Sequence, residues 1–282
     1  MLHSPDLELP SRNSHRPSGR SRRVAEQTVI QDDCLTALKR FPDGFFDAVI
    51  TSPPYNLGIA YKTYDDRRPR QEYLSWLKEV GAELTRVMTD SASFFLNVGG
   101  TGADPWIPMD VANAFRESLT LQNHIVWVKS VSIGDDTAGH FKPISSKRFL
   151  NNNHEAVFQF TKNGSVPIDR LAVGVPYKDK SNIARWKHAK ADRRCAGNTW
   201  FIPYETVRSK TQKFGHPAGF PVGLPERCLR LHGSADACVL DPFLGAGTTL
   251  VAAHRLGLKG YGIELDKAYA NAAVERLRKE TV

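Results

Sequence analysis

The chain has 282 residues, 41% of them hydrophobic and 24% charged, and a formal charge of +8. That suits one soluble α/β domain with an insertion, or two small domains. With no apolar stretch near the ~20 residues of a membrane span, no apolar signal core, and four cysteines (Cys34, Cys195, Cys228, Cys238) lacking C-x-x-C spacing, a membrane protein, a disulfide framework and a zinc site are disfavoured and a reducing cytoplasm is expected.

Residues 1–26, rich in Ser, Arg and Pro, read as a flexible tail. Val29-Ile30 reads as a short strand ending at Gln31-Asp32-Asp33, and Cys34 to Phe41 as a helix with Leu35 and Leu38 on one face. Ala48-Val49-Ile50 is a buried strand that the pair Pro53-Pro54 stops. Tyr73 to Met88 places Leu74, Leu77, Val80, Leu84 and Val87 at helical spacing. A strand over residues 93–98, a helix over 108–119 and strands over 124–129 and 156–160 follow. Regularity fades over residues 163–213. It returns with a helix over 225–231, the strand Cys238-Val239-Leu240, a helix over 248–256, the strand Tyr261-Gly262-Ile263 and a last helix over 269–278. Strands alternating with helices predict a doubly wound, mostly parallel sheet covered on both faces.

Two loops carry the chemical information. In the late one, a strand runs through Asp241-Pro242-Phe243-Leu244-Gly245-Ala246-Gly247-Thr248-Thr249 into a helix. Strand, Gly-rich turn and helix form the nucleotide-binding geometry of doubly wound folds, and the glycines admit a ligand close to the backbone. Glu264 ends the next strand, where a carboxylate can accept from both ribose hydroxyls. No Gly-Lys-Ser/Thr follows, so this is not a P-loop, and Thr248-Thr249 interrupts any G-x-G-x-x-G pattern. The early loop, Thr51-Ser52-Pro53-Pro54-Tyr55-Asn56, ends a buried strand, where ligands sit in such sheets. Its prolines stiffen the turn and fix where its carbonyls point. Residues 178–213 hold ten Lys/Arg against three acids, nearly the whole positive excess. Such a stretch is either a polyanion-binding surface or a solvated face.

Together the two loops resemble those of DNA amino-methyltransferases in the permuted β-class order, with the cofactor loop after the chemistry loop. The likeness covers most of residues 28–282. It also draws on Phe214-Gly215-His216-Pro217-Ala218, which resembles the family's tenth motif, and on Asn153-His154-Glu155, which resembles its eighth. It implies S-adenosyl-L-methionine as cofactor, with Asp241 binding the methionine amino group. The implied cofactor wall also includes Asp33 (favoured over Asp32), Cys34, Asn56, His216, Pro217, Pro242, Phe243, Gly245, Gly247, Thr248, Thr249, Glu264 and Leu265.

An exocyclic base amine is a poor nucleophile, because its lone pair is delocalised into the ring. The Ser52 side chain and the Pro53 carbonyl are expected to accept its two N–H groups, with Pro54 fixing the turn and Tyr55 stacking on the base. The methyl group then moves in line, organised by positioning and electrostatics. The base must leave the helix to reach such a pocket. The basic stretch lies where the family keeps its target-recognition region. Residues 163–213 are therefore assigned to recognition, 27–162 and 214–282 to catalysis, and Arg185, Lys187, Arg193 and Arg194 to DNA contact. Thr-Ser-Pro-Pro-Tyr is typical of cytosine-N4 enzymes, and adenine N6 is the alternative. Ring-carbon methylation needs a thiolate, usually in a Pro-Cys pair, and no cysteine here follows a proline. An RNA amino-methyltransferase and a DNA-binding protein with a vestigial cofactor pocket are further alternatives. The resemblance also suggests a homodimer and an independently acting cognate endonuclease.

Smaller expectations concern single residues. Trp76, Trp106 and Trp127 are read as core, and His154 and His216 as hydrogen-bonding loop residues rather than bases. Residues 200–203 are expected to pack the recognition region onto the main domain. Asp65-Asp66 is read either as part of a mobile loop over the base or as a plain surface loop.

Overall fold

The computed structural model describes residues 20–58, 64, 66–139, 145–185, 191–204 and 219–281. In chain order the elements are β1 (Arg20–Val24), β2 (Gln27–Gln31), α1 (Cys34–Leu38), β3 (Phe46–Thr51), α2 (Arg70–Val87), β4 (Met88–Val98), α3 (Ile107–Phe115), β5 (Thr120–Val128), β6 (Ser130–Ile133), β7 (Asp136–Gly139), β8 (His154–Thr161), α4 (Ser181–Arg185), β9 (Thr199–Phe201), α5 (Gly223–His232), β10 (Cys238–Asp241), α6 (Thr248–Arg255), β11 (Lys259–Glu264) and α7 (Lys267–Glu280).

Nine strands form one sheet in the order β1-β2-β11-β10-β3-β4-β8-β5-β9. From β2 to β4 every neighbouring pair is parallel, whereas β8 runs antiparallel to both β4 and β5. The central strands are buried on both faces, so β10 reads as an unbroken apolar run ending in Asp241. Residues of α1, α2 and α3 pack one face, around Phe46, Phe94, Leu77 and Val111. Residues of α5, α6 and α7 pack the other, around Val239, Leu229, Val251 and Ala273.

Topology places the ligand crevice. From β3 the chain crosses through α2 to β4, on one side. From β10 it crosses through α6 to β11, on the other. The winding direction therefore reverses between β3 and β10, and the carboxyl ends of such a pair open the crevice of a doubly wound sheet. The two loops singled out in the sequence leave these two strands.

Several expectations need correction. The tail expected through residue 26 ends earlier, because residues 20–24 form β1, paired antiparallel with β2 from Arg20↔Gln31 to Val24↔Gln27. Three arginines do not disqualify a strand at a sheet edge, where side chains reach water; residues 1–19 lie outside the described set. The hairpin β6–β7 is absent from the sequence expectations, because Ser130 to Gly139 carries little apolar signal. The segment assigned to recognition is less separate than its boundaries suggest: it contributes β9, which pairs parallel with β5. There Trp200 is buried and the Trp127 indole donates to the Ile202 carbonyl at 2.8 Å. Trp106, read as core, is 68% exposed.

Candidate active site

The crevice is an open cleft. Asp32, Asp33 and Cys34 from the β2–α1 turn, Pro242 and Phe243 after β10, and Ile263, Glu264, Leu265, Asp266 and Tyr269 line its deeper part. Ser52, Pro54, Tyr64, Arg68 and Trp76 line the rest. Glu264 ties the strand ends together. Its Oε2 accepts from the Gly245 amide and its Oε1 from the Asp266 amide, each at 2.8 Å. Its backbone carbonyl accepts from the Asp32 amide at 3.1 Å. Burial raises the Glu264 carboxyl to about 7, against the opposing pull of those two amides.

Each oxygen of Glu264 retains acceptor capacity for a hydroxyl. Among the described residues, four carboxylates (Asp32, Asp33, Glu264, Asp266) but only one cation, Arg68, face the cleft. That charge repels phosphates, suits ribose hydroxyls and tolerates a cationic ligand. Phe243, Leu265, Ile263 and Tyr269 supply flat and aliphatic surface for a base. Cys34 packs there as a thiol, pushed up to about 12 by burial and by Asp33. The lining therefore fits S-adenosyl-L-methionine, a nucleoside with a sulfonium charge and no phosphate. Asp33 divides its work: its side chain also caps α1, accepting from the Thr36 amide at 3.0 Å. Asp32 pairs with Arg40 at 2.6 Å.

Other residues assigned to the cofactor stand behind the cleft instead. Asp241 is 2% exposed, and its carboxylate is enclosed. Oδ1 accepts from the Thr51 hydroxyl at 2.6 Å and from the Phe243 amide at 3.0 Å, and Oδ2 accepts from the Thr249 hydroxyl at 2.6 Å. Burial raises this carboxyl to about 6. Asp241 therefore clamps β3 to β10 across the switch point rather than facing a methionine amino group. Thr249, fully buried, serves the same clamp, and Thr248 accepts from Arg276 at 2.9 Å. Gly247 has φ +84°, and a Cβ there would come within 3.0 Å of the Ala273 Cβ, so its bareness lets α6 start against α7. Gly245 supports the cleft through its amide, which donates to Glu264.

At the other wall, Ser52 is half-buried and its hydroxyl donates to the Tyr55 hydroxyl at 2.7 Å. The Pro54 carbonyl accepts from the Tyr73 hydroxyl at 2.6 Å, which fixes the turn. Tyr55, expected to stack on a base, is held through its hydroxyl. Its hydroxyl sits in a polar network with Asn97 and Glu155, each at 3.3 Å. Asn56, assigned to the cofactor, holds the next loop: its side chain exchanges bonds with the Arg68 amide and carbonyl, both at 2.8 Å, from a backbone φ of +57°. Asp66 is not a surface residue. It is 2% exposed and accepts from the amides of Asn56 and Leu57.

Sequence reasoning missed six cleft residues: Tyr64, Arg68, Trp76, Ile263, Asp266 and Tyr269. Arg68 lies 4.8 Å over the Tyr64 ring and 5.6 Å over the Trp76 ring, and Trp76 approaches Phe243 at 5.4 Å. Trp76 reads as core in the sequence, because its helical spacing suits either role. His216, Pro217, Lys187, Tyr61 and Asp65 lie outside the described residues. Arg185, Arg193 and Arg194 are exposed, and Arg193 donates to the Gly174 carbonyl at 2.7 Å. His154 opens β8 and is exposed.

This geometry agrees with comparisons to known proteins. The chain is 32% identical over 270 residues to the type II methyltransferase M.BglII of Bacillus subtilis, covering 89% of this chain and 69% of that protein. It is 27% identical to the DNA adenine methyltransferase YhdJ of Escherichia coli K12, covering 89% and 82%. The fold matches PvuII DNA methyltransferase (cytosine-N4-specific) with a TM-score of 0.68, 21% identity and 90% coverage of each chain. It also matches TTHA0409 of Thermus thermophilus, described as a DNA modification methylase, in complex with S-adenosyl-L-methionine (TM-score 0.61, 25% identity, covering 89% and 93%). A family model described as DNA methylase, for N6 and N4 amino-methyltransferases, matches residues 46–275. The chain therefore belongs to the N6/N4 DNA methylase family, in its permuted β-class order, and takes its methyl group from S-adenosyl-L-methionine.

Proposed function

We propose that this DNA methyltransferase acts on the N4 amine of cytosine, within a short duplex sequence and on a base flipped out of the helix. The observation that carries this reading is Ser52. Its side chain lines the cleft and commits its proton to Tyr55 at 2.7 Å, leaving oxygen lone pairs to accept from an amine. Accepting the N–H groups favours a tetrahedral nitrogen and frees its lone pair for in-line attack. The Pro53 carbonyl is the second acceptor of this reading, and Tyr73 holds the turn that carries it.

Glu264, Asp33, Cys34, Phe243 and Leu265 would hold the nucleoside half of S-adenosyl-L-methionine. When bound, that cofactor supplies an electrophilic methyl group on a sulfonium. Residues 163–213, with Arg185, Lys187, Arg193 and Arg194, would then contact DNA. An exposed basic surface next to the catalytic sheet suits a nucleic acid, and membership of a DNA methylase family favours DNA over RNA. Relatives named type II methyltransferases support a role in restriction–modification, beside an independently acting endonuclease, although an orphan marker would carry the same chemistry. The adenine-N6 reading has its own support in the likeness to YhdJ, since a hydroxyl would hold an adenine amine as well.

Expressing the chain in a host without DNA methylation and mapping modified bases tests the proposal. Modification confined to cytosines of one short sequence is expected. Modified adenines would overturn the base assignment, and scattered marks would overturn site specificity.

A further inference from the structure

Behind Ser52 runs a line of polar side chains that methyl transfer, as described above, does not use. Ser52 Oγ donates to the Tyr55 hydroxyl at 2.7 Å. The single Tyr55 proton faces three acceptors, each at 3.3 Å: the Asn97 carbonyl, Asn97 Oδ1 and Glu155 Oε2. Glu155 alone of these residues is an ionisable base. Asn97 Nδ2 donates to the same Glu155 oxygen at 3.0 Å, and Lys129 Nζ to the other oxygen at 3.0 Å. The strands fix this assembly: Asn97 comes from β4, Lys129 directly follows β5, and Glu155 belongs to β8, which pairs with both. Gly99 makes room for it, since a Cβ there would fall 2.9 Å from Glu155 Cδ.

The Glu155 side chain is only 16% exposed. A buried carboxylate is costly unless paired, and Lys129 satisfies that need alone. An ion pair kept for stability requires no link to Ser52, yet Tyr55 makes one. Besides Lys129 and Tyr55, Tyr204 from the segment after β9 senses the Glu155 charge.

We propose that Tyr55 and Glu155 form the outlet for the proton that the methylated amine must lose, with Glu155 as its terminal acceptor. This inference rests on the reading of Ser52 as the amine's acceptor. In the step, the nitrogen lone pair forms the new N–C bond and the breaking bond's pair stays on the donor sulfur. The nitrogen then carries one hydrogen too many. That proton passes to Ser52 Oγ as the Ser52 proton passes to the Tyr55 oxygen and the Tyr55 proton to the Glu155 carboxylate. One N–H and one Glu155 O–H are exchanged, and the two hydroxyls end as they began. Burial, and then the Glu155 charge, hold the Tyr55 phenol well above its ordinary range, so Tyr55 conducts the proton without resting as a phenolate. Glu155 touches neither cofactor nor base and is a positioning residue that acts through Tyr55.

The test is single-turnover methylation of unmethylated mixed-sequence plasmid at saturating S-adenosyl-L-methionine, read by nucleoside mass spectrometry across pH. Glu155→Gln is expected to lower the rate about 100-fold, the scale of general-base assistance, and to flatten its decline toward acid. Glu155→Asp should recover part of the rate and its slope. Tyr55→Phe, which keeps the ring, should flatten the profile likewise, and the double variant should be no slower than the slower single one. Ring-13C tyrosine NMR of the folded protein gives a readout independent of turnover, with Tyr55 ionising at lower pH in Glu155→Gln than in the parent. Variants with the parent's rate and profile, or rate reductions that multiply, would overturn the relay while leaving the methyltransferase reading intact. A parent that methylates no base would overturn both.

Discussion

At Ser52, a single hydroxyl proton decides what the side chain can do. Committed to Tyr55, it leaves only acceptor capacity for an incoming amine. Ser52→Ala is therefore expected to lower turnover roughly 10²–10³-fold, as loss of one preorganised polar group does, while the cofactor dissociation constant measured by calorimetry stays near the parent's. Unchanged turnover would remove Ser52 from the chemistry. Glu264 makes a second prediction, through pH. Its carboxyl is raised from 4.5 to about 7 in the folded protein, chiefly by burial. Between those values the folded state binds more protons than the unfolded one, so stability falls as pH rises through that window. Melting temperature of the cofactor-free protein should decline from pH 5 toward 7, and Glu264→Gln should make that decline shallower. The same substitution should weaken cofactor binding by about 2 kcal/mol, the scale of a hydrogen bond to a charged group and roughly 30-fold in affinity.

At the scale of elements, hydrophobic pattern and turn chemistry leave most of the fold legible. Unbroken apolar runs mark β3 and β10, and the helical spacing of Leu77, Val80 and Leu84 marks α2. The turns after β3 and β10 are legible because Pro-Pro restricts the backbone, whereas Gly-x-Gly permits the positive φ that a tight turn needs. The roles of Asp241, Thr249 and Gly247 are not. In sequence they stand in the cofactor loop, and only the pairing of β10 with β3 shows that the Asp241 carboxylate closes on Thr51. Trp76 misleads because an aromatic residue at helical spacing suits core and cleft equally. β1 escapes a reading by composition because its partner makes it a strand. Gly247→Ala tests the reading of the α6 start. Its φ of +84° and the 3.0 Å approach to Ala273 predict a destabilisation of about 1–3 kcal/mol in urea unfolding. A change below about 0.5 kcal/mol would show that the junction of α6 and α7 yields freely.

At the scale of the molecule, the proposed function draws on a cleft and a stretch of sequence of opposite charge. Acidic groups gather in the cofactor cleft, whereas ten Lys/Arg against three acids lie in residues 178–213. Replacing Arg193 and Arg194 together by Ala should weaken DNA binding for any sequence. It should also reduce the slope of log K against log salt by about 2, roughly one unit for each phosphate that is no longer neutralised. An unaltered slope would place the DNA surface elsewhere. The most direct test of the whole account is to incubate unmethylated mixed-sequence plasmid with the protein and S-adenosyl-L-methionine, then digest it and weigh the nucleosides. N4-methylcytosine is expected, formed by the parent protein and at a rate roughly 10²–10³-fold lower by Ser52→Ala. N6-methyladenine in its place would contradict the base assignment, and 5-methylcytosine would contradict the amine chemistry itself.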